Sequence, residues 1–355
     1  MTPCSRSSAA KLLLFFLLLI TAASVLSTSS AQNPKTSQSP SPSPSPEEEI
    51  DPADVISVNT AEVLLPVTVR DTSGQIVKGL TRADFRVFED GAEQPLSEFS
   101  LREVPVDVAL LVDASSSVAD NLDDFRQAVE GFATHLNSED RISLIQFDDR
   151  VLLLQDWTSS KVQLRRALRR LAPGMFTRFH DAMLLATREQ LPRGSARHAL
   201  IVLTDGIDSG RGATFDTALR SALHAQTTVY VVANTQIERA KKQSELSDLL
   251  SGTDSRLKFN QLRIEDLRMG LAALDASESN LDELTTATGG RLYRPNSFGE
   301  LERTYAEVAD ELRHQYALYF SPLNRERDGR FRRVRVETSN PAFRVSARIG
   351  YFGPR

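Results

Sequence analysis

The chain has 355 residues. Apolar residues make up 41% of it, or about 46% with glycine included, which is ordinary for a globular protein and excludes a mostly disordered, collagen-like or multi-spanning membrane protein. The chain has 42 basic and 47 acidic residues, and this acidic balance argues against a nucleic-acid-binding domain. The single cysteine, Cys4, excludes an internal disulfide and a cysteine-based zinc site.

Residues 1–31 have the three-part pattern of a secretory signal peptide. Arg6 and Lys11 lie before and at the start of an apolar run that extends from Leu12 to Leu26, and small residues end the segment at Ala31. The run is about 15 residues long, shorter than the roughly 20 that cross a bilayer as a helix, so we expect cleavage near Ala31 rather than an uncleaved anchor. Removing the segment leaves 40 basic and 47 acidic residues, a net charge of −7. We therefore expect an exported protein, periplasmic or extracellular, with no membrane span after cleavage.

Residues 32–53 are rich in proline and serine and almost free of apolar residues, which predicts a disordered, extended linker. Residues 54–105 then have the pattern of β-strands. Apolar residues alternate at period two along Val63–Val69, a second strand and turn follow at Phe85–Gly91, and a third strand is predicted at Gln94–Leu101. Short strands separated by glycine turns indicate part of a β-sandwich.

Residues 106–314 are predicted to form a doubly wound α/β domain with a mostly parallel sheet. Val106–Val112 and His198–Leu203 are nearly continuous apolar runs, typical of strands buried on both faces. Strands alternating with amphipathic helices favour this fold. The other predicted strands are Ile142–Phe147, Val151–Leu154, Thr228–Ala233 and Arg291–Tyr293, and the predicted helices are Leu122–Leu136, Lys161–Leu171, Asp181–Gln190, Thr217–Ala225, Leu281–Thr288 and Glu300–His314. The polar stretch 236–280 has no clear pattern and is treated as an uncertain insertion.

Residues 315–355 return to a strand pattern. Strands are predicted at Tyr316–Phe320, Phe331–Glu337 and Phe343–Tyr351. One economical hypothesis is that these strands complete a single sandwich with residues 54–105, so that the α/β domain is inserted within it.

Oxygen-bearing side chains follow the predicted strands where doubly wound folds place their ligand sites. Asp113, Ser115 and Ser117 come directly after the first buried strand, Thr177 lies in the loop before a predicted helix, and Asp205 follows the strand His198–Leu203. All five side chains offer oxygen, which suits a hard divalent cation, Mg²⁺ before Mn²⁺ or Ca²⁺. A coordination position left open would accept an anionic group from outside.

This DxSxS sequence, the later threonine and the Thr204-Asp205-Gly206 segment resemble the metal-ion-dependent adhesion site of von Willebrand factor type A domains. The resemblance covers 106–314, and all five motif positions match. It implies that the cation bridges the domain to a partner protein, often through a partner carboxylate. The whole layout also resembles secreted bacterial proteins of the acidobacterial type that carry such domains, with related β segments and a similar Gly350-Tyr351 ending.

Three functions from different classes remain open. The sequence favours an exported binding module, not an enzyme, whose cation engages an acidic side chain or terminus of a partner protein. A structural cell-envelope protein with a fold-stabilising metal is the first alternative. A metal-dependent phosphohydrolase is less favoured because Ser115 stands where its second carboxylate would be expected. A zinc site made of histidines is disfavoured because no two histidines lie four residues apart in the sequence. The five histidines are His135, His180, His198, His224 and His314.

Overall fold

The computed structural model describes residues 62–100, 105–115, 121–191, 197–210, 212–251 and 257–355. The predicted signal peptide, the predicted linker, residues 54–61 of the N-terminal β-rich segment and Ser117 lie outside these described residues. The described residues form a central α/β region with short β-strands before and after it in sequence.

Outside residues 236–280, the strands and helices follow the predicted order along the chain. The strands are β1 (Val63–Arg70), β2 (Phe85–Glu89), β3 (Ala92–Gln94), β4 (Leu96–Ser100), β5 (Val106–Asp113), β6 (Arg141–Phe147), β7 (Val151–Thr158), β8 (Arg197–Thr204), β9 (Thr228–Ala233), β10 (Arg291–Tyr293), β11 (Tyr316–Phe320), β12 (Phe331–Thr338), β13 (Arg344–Ser346) and β14 (Gly350–Phe352). The α-helices are α1 (Leu122–Thr134), α2 (Lys161–Leu168), α3 (Phe179–Leu185), α4 (Phe215–His224), α5 (Thr235–Ser251), α6 (Leu257–Thr288) and α7 (Leu301–Arg313).

Six strands form the central sheet, in the order β10-β9-β8-β5-β6-β7. Strand β5 pairs in parallel with β6 on one side and with β8 on the other, and β7 is antiparallel to β6. Strands β5 and β8 are buried along their whole length. The chain leaves β5 towards one side of the sheet and later returns on the other side, so a topological switch point lies between β5 and β8.

Helices cover both faces of this sheet. Phe125 and Phe132 of α1 pack with Tyr305 of α7 in the core on one face. Phe179 of α3 and Leu281 of α6 belong to the core on the other face. The predicted fold class, a doubly wound and mostly parallel α/β sheet flanked by β-sandwich-like segments, is confirmed.

The remaining strands form two four-stranded sheets around a third apolar core. One sheet has the order β13-β1-β11-β4 and the other β14-β12-β2-β3. Strand β1 pairs antiparallel with β11, and β2 pairs antiparallel with β12. Each sheet therefore combines strands that precede the α/β region with strands that follow it.

Buried polar contacts join these sheets to the α/β region. The Arg70 guanidinium, on β1, donates to the Glu311 carboxylate on α7, and Tyr293 Oη donates to the same carboxylate over 2.9 Å. Glu311 is only 1% exposed. Arg348, also buried and lying between β13 and β14, donates to Gln226 Oε1 over 3.1 Å, and Gln226 lies between α4 and β9. These contacts place charged groups where water is largely excluded, so their pairing matters for stability.

Residues 236–280, which the sequence left without a definite structure, form most of a pair of long helices, α5 and α6. Ion pairs join the two helices, including Arg239 with Glu278 at 2.9 Å and Arg263 with Glu245 at 2.6 Å. Most side chains of α5 are at least partly exposed. An apolar stripe, the usual sequence signal of a helix, is therefore missing from α5.

A weaker signal for α6 was present in the sequence. Leu267, Leu274 and Leu281 recur every seven residues and are at most 2% exposed. Seven residues are close to two helical turns, so these leucines share one buried face of the helix. The prediction of a helix from Leu281 was right in type but began 24 residues too late.

Several predicted boundaries are wrong in detail. Helix α2 ends at Leu168 rather than Leu171, and the predicted helix Asp181–Gln190 begins at Phe179 and continues as a π-helical turn from Ala186 to Gln190. The segments predicted as single strands at Gln94–Leu101 and Phe343–Tyr351 each divide into two strands. Their halves pair in different sheets, which a local pattern of alternating residues does not reveal.

Candidate metal site

Two of the predicted site residues, Asp113 and Asp205, lie at the carboxyl ends of β5 and β8, which are neighbours in the sheet. Asp113 is the last residue of β5. Thr204 is the last residue of β8, and Asp205 follows it. Parallel strands end at the same edge, so the fold brings the two aspartates to the switch point of the sheet.

Asp113 is a fully buried carboxylate, with 0% of its surface exposed. Its Oδ1 accepts a hydrogen bond from the Ser115 amide over 2.9 Å, and its Oδ2 accepts one from the Thr204 hydroxyl over 2.8 Å. Both donors are neutral, and together they fix the orientation of the carboxylate. Thr204 was not among the predicted site residues; its position at the end of a buried strand, beside Asp205, was the available signal.

The loop after β8 is held in a defined conformation. Asp205 Oδ1 accepts from the Ile207 amide over 3.0 Å, and the Gly206 amide donates to the Thr204 hydroxyl over 2.9 Å. Gly206 has a φ of +72°, and a Cβ there would lie 2.5 Å from Ser277 Oγ. Glycine is therefore required at this turn both for its backbone conformation and for space.

Helix α6 supports this loop from behind. The buried Ser277 hydroxyl donates a hydrogen bond to the main-chain oxygen of Asp205. Because Ser277 belongs to the segment that the sequence left undefined, no sequence signal identified it as part of the site.

Thr177 is connected to the same loop through its backbone. Its amide donates to Ser209 Oγ over 2.9 Å, and its carbonyl accepts from the amides of Ser209 and Gly210 over 3.0 and 3.1 Å. The Gly174 amide, three residues earlier, donates to the carbonyl of Ala114 over 2.7 Å. The three segments that carry the predicted ligands are thus joined by direct hydrogen bonds.

The electrostatics of the site favour an added positive charge. Burial is the main cause that raises the pKa of the Asp113 carboxyl to about 7, and the negative charge of Asp205 is the second. Hydrogen bonds from Ser115 and Thr204 act in the opposite direction and lower this pKa. Two carboxylates that repel each other in a buried setting are stabilised in their ionised forms by a cation between them.

The donor set fits a hard divalent ion. Asp113, Ser115, Thr177 and Asp205 are all buried and all offer oxygen, while Ser117 lies outside the described residues. In the part of the chain that the structure describes, no group of three or more His, Cys, Asp or Glu side chains could hold a metal ion. A cation at this place would depend on the hydroxyl groups as well as on the two carboxylates.

The histidines make contacts of other kinds. The ring of His180 lies 3.1 Å from Asp208 Oδ2, on the loop after β8. His224 stacks on Phe352 with ring centroids 3.6 Å apart. Burial lowers the pKa of His198 and favours its neutral form.

Comparison with known proteins defines the class of the α/β region. Residues 107–269, somewhat less than half of the chain, match the family model of the von Willebrand factor type A domain. The α/β region therefore matches the von Willebrand factor type A domain that the motif predicted. A search of curated proteins found no match.

Three solved structures are similar to parts of this chain. The vWF domain of the type V pili tip protein Mfa5 from Porphyromonas gingivalis is 24% identical over 30% of this chain and 40% of that chain, with a TM-score of 0.28. An aerotolerance-related membrane protein from Bacteroides fragilis is 16% identical over 58% of this chain and 98% of its own, with a TM-score of 0.40. Proximal thread matrix protein 1 from the mussel byssus, with a zinc-occupied MIDAS motif, is 17% identical over 62% of this chain and 48% of its own, with a TM-score of 0.42. This chain thus spans less than half of the Mfa5 and mussel chains.

Among the residues that the structure describes, no helix is both long enough and apolar enough to cross a bilayer.

Proposed function

We propose that this protein is an exported, metal-dependent protein-binding module. Asp113, Ser115, Ser117, Thr177 and Asp205 would hold a divalent cation, Mg²⁺ in preference to Mn²⁺ or Ca²⁺. The observation that carries the proposal is the pair of buried, mutually repelling carboxylates at the ends of β5 and β8, surrounded by hydroxyl groups. The bound cation would supply a Lewis-acidic position for a carboxylate oxygen of the partner.

Binding is a better interpretation than catalysis. Ser115 occupies the position where a phosphohydrolase of this topology would carry its second carboxylate, so a general acid for the leaving group is missing there. The alternative of a structural envelope protein makes a different prediction. A purely structural cation would raise the melting temperature but would make no partner binding depend on it.

We propose that the chain is exported with residues 1–31 as a signal peptide and 32–53 as a spacer. Residues 54–105 and 315–355 would form one folded unit around the α/β domain, as the pairing of β1 with β11 supports. Limited proteolysis tests this organisation. Clean separation of the N-terminal strands from the C-terminal strands after cutting would refute it.

The central test compares cation binding with partner binding. Calorimetric titration of the full chain with Mg²⁺ and Mn²⁺ measures the first, and capture from cell-envelope and culture fractions with Mg²⁺ or EDTA measures the second. Asp113→Ala should abolish both. Asp310→Ala, which removes a half-exposed carboxylate at the far end of α7, is the matched control and should change neither.

Two results would redirect the interpretation. Cation binding that raises the melting temperature without any cation-dependent partner would favour the structural alternative. If a partner protein is captured equally well in EDTA and by Asp113→Ala, the partner binds elsewhere on the protein.

A further inference from the structure

Two large apolar side chains project into solvent beside the candidate site. Met175 is 73% exposed and Phe176 is 60% exposed. They are the only exposed large apolar residues adjacent in sequence within the described part of the chain. Paired exposure of this kind is a feature of surfaces that bind other proteins.

The backbone under this pair is held firmly. The Ala172 amide donates to Gln146 Oε1 over 3.1 Å, and Gln146 Nε2 donates back to the Ala172 carbonyl over 2.7 Å. The Phe176 amide donates to Asp149 Oδ1 over 2.8 Å. Since the main chain is held at Ala172 and at Phe176, little backbone entropy is left to lose when the two side chains bind a partner.

A close approach at Gly174 strengthens this arrangement. A Cβ at Gly174 would lie 2.3 Å from the Asp148 Cβ, so only glycine lets the loop pack against Asp148. Gly174 therefore fixes the path of the main chain directly before the two exposed residues.

The same loop borders the candidate cation site. Gly174 donates its amide to the carbonyl of Ala114, which lies between the candidate ligands Asp113 and Ser115. Thr177, another candidate ligand, directly follows Phe176 in the chain. A partner group bound at the cation would consequently have Met175 and Phe176 as near neighbours.

We propose that Met175 and Phe176 determine specificity, by selecting a partner segment in which an acidic side chain has a large apolar side chain next to it. This inference rests on the proposed function, since the acidic side chain would bind at the cation. Binding of a partner carboxylate to the cation would not by itself distinguish one acidic residue of a partner from another. An apolar contact next to it adds selectivity, because it removes additional apolar area from water.

The probe is a displayed library of random peptides with one fixed central aspartate. The full-length chain selects peptides in Mg²⁺, with a parallel selection in EDTA. Three proteins are compared: wild type, the double variant Met175→Ser/Phe176→Ser, and Leu323→Ser, a control that removes an apolar side chain of similar exposure from the loop after β11. Calorimetric titration with Mg²⁺ checks that all three proteins bind the cation equally.

We expect wild type and Leu323→Ser to enrich aromatic or large aliphatic residues next to the aspartate, only in Mg²⁺. The double variant should lose this preference while keeping its cation affinity. Synthetic peptides from the enriched set should bind wild type about tenfold more tightly than versions with serine in place of the apolar residue, and the double variant should not distinguish them.

The outcomes separate this inference from the proposed function. Acidic peptides enriched in Mg²⁺ without an apolar preference, or with a preference that the double variant retains, would overturn the inference alone. If wild type enriches no peptide in a Mg²⁺-dependent way, the proposed function and the inference both fail.

Discussion

The hydroxyl of Ser277 donates a hydrogen bond to the main-chain oxygen of Asp205, although 72 positions separate the two residues. Helix α6 thereby contacts the loop that carries one of the two buried carboxylates of the site. Ser277 is 5% exposed, so water cannot readily replace its hydroxyl as the donor.

Replacing Ser277 should therefore affect the site at a distance from its ligands. We expect Ser277→Ala to lower the unfolding free energy by about 1–2 kcal/mol, because a buried carbonyl loses its donor. Cation affinity should fall about three- to tenfold as the Asp205 loop loses support. Calorimetric titration and urea unfolding measure the two effects. Ser279→Ala, on the same helix and in an exposed setting, should leave both unchanged, and an unaltered cation affinity in Ser277→Ala would show that the loop does not need this contact.

The raised pKa of Asp113 predicts a pH dependence of stability. The pKa is about 7 in the folded protein and about 3.8 in a model unfolded chain, so the folded state binds more protons between these values. The contribution of this protonation to the unfolding free energy is fully present at pH values below the pKa of the unfolded state. It is lost as the pH rises through the pKa of the folded state. Without cations, the wild type should therefore lose stability as the pH rises from about 5 to about 8, whereas Asp113→Asn should not. The unfolding free energy of Asp113→Asn should rise by about 2 kcal/mol relative to that of the wild type over this pH range.

Urea unfolding in EDTA at a series of pH values measures this difference. Asp310→Asn is the control and should follow the wild type. Saturating Mg²⁺ at pH 8 should stabilise wild type and not Asp113→Asn, which reverses their order. Parallel pH profiles for wild type and Asp113→Asn would contradict the burial and repulsion assigned to this carboxylate.

Gln146 fixes the loop that leads to Met175 through two hydrogen bonds with Ala172. We expect Gln146→Ala to lower the unfolding free energy by about 1–3 kcal/mol, since it leaves the partly buried amide and carbonyl of Ala172 without these partners and opens a small cavity where the buried Gln146 side chain lay. Thermal and urea unfolding measure this loss. Gln155→Ala removes an exposed amide from the next strand and should cost less than about 0.5 kcal/mol. Equal costs for the two variants would mean that solvent takes over the contacts of Gln146.

The buried contact of Arg70 with Glu311 joins strand β1 to helix α7. Arg70→Met should lower the unfolding free energy by about 3 kcal/mol, because it leaves the Glu311 carboxylate buried without this cation. Arg70→Met combined with Glu311→Gln should recover much of the loss, since a neutral amide is less costly to bury. Arg86→Met breaks an exposed pair with Glu93 and should cost far less, because water screens that pair. A double-mutant cycle by urea unfolding tests this, and additive losses would contradict a coupled pair.

Much of the fold could be predicted because its signals are local. A strand buried on both faces needs apolar side chains at nearly every position, so Val106–Val112 and His198–Leu203 were recognisable without knowledge of their neighbours. The same applies to Asp113 and Asp205, which directly follow those strands. Their juxtaposition follows from the rule that parallel strands end at one edge of a sheet.

Other features depend on contacts that no local pattern contains. Helix α5 lacks an apolar stripe because most of its side chains are at least partly exposed to water. Only the end of its partner α6 was predicted, and the earlier part was marked by two further leucines at a spacing of seven residues. Phe343–Tyr351 looked like one strand, but Arg344–Ser346 and Gly350–Phe352 pair in different sheets. The break between them is decided by which sheet each half contacts.

The sequence by itself determined the strand and helix types of the α/β region and the chemical character of its candidate ligands, because propensity, periodicity and residue chemistry are properties of short segments. The tertiary structure alone decided that Ser277 supports Asp205, that β1 pairs with β11, and that Met175 and Phe176 stay exposed on the loop that contacts Ala114. These relationships join residues far apart in the chain. They arise only when the whole core packs, since the burial of one segment depends on the position of the others.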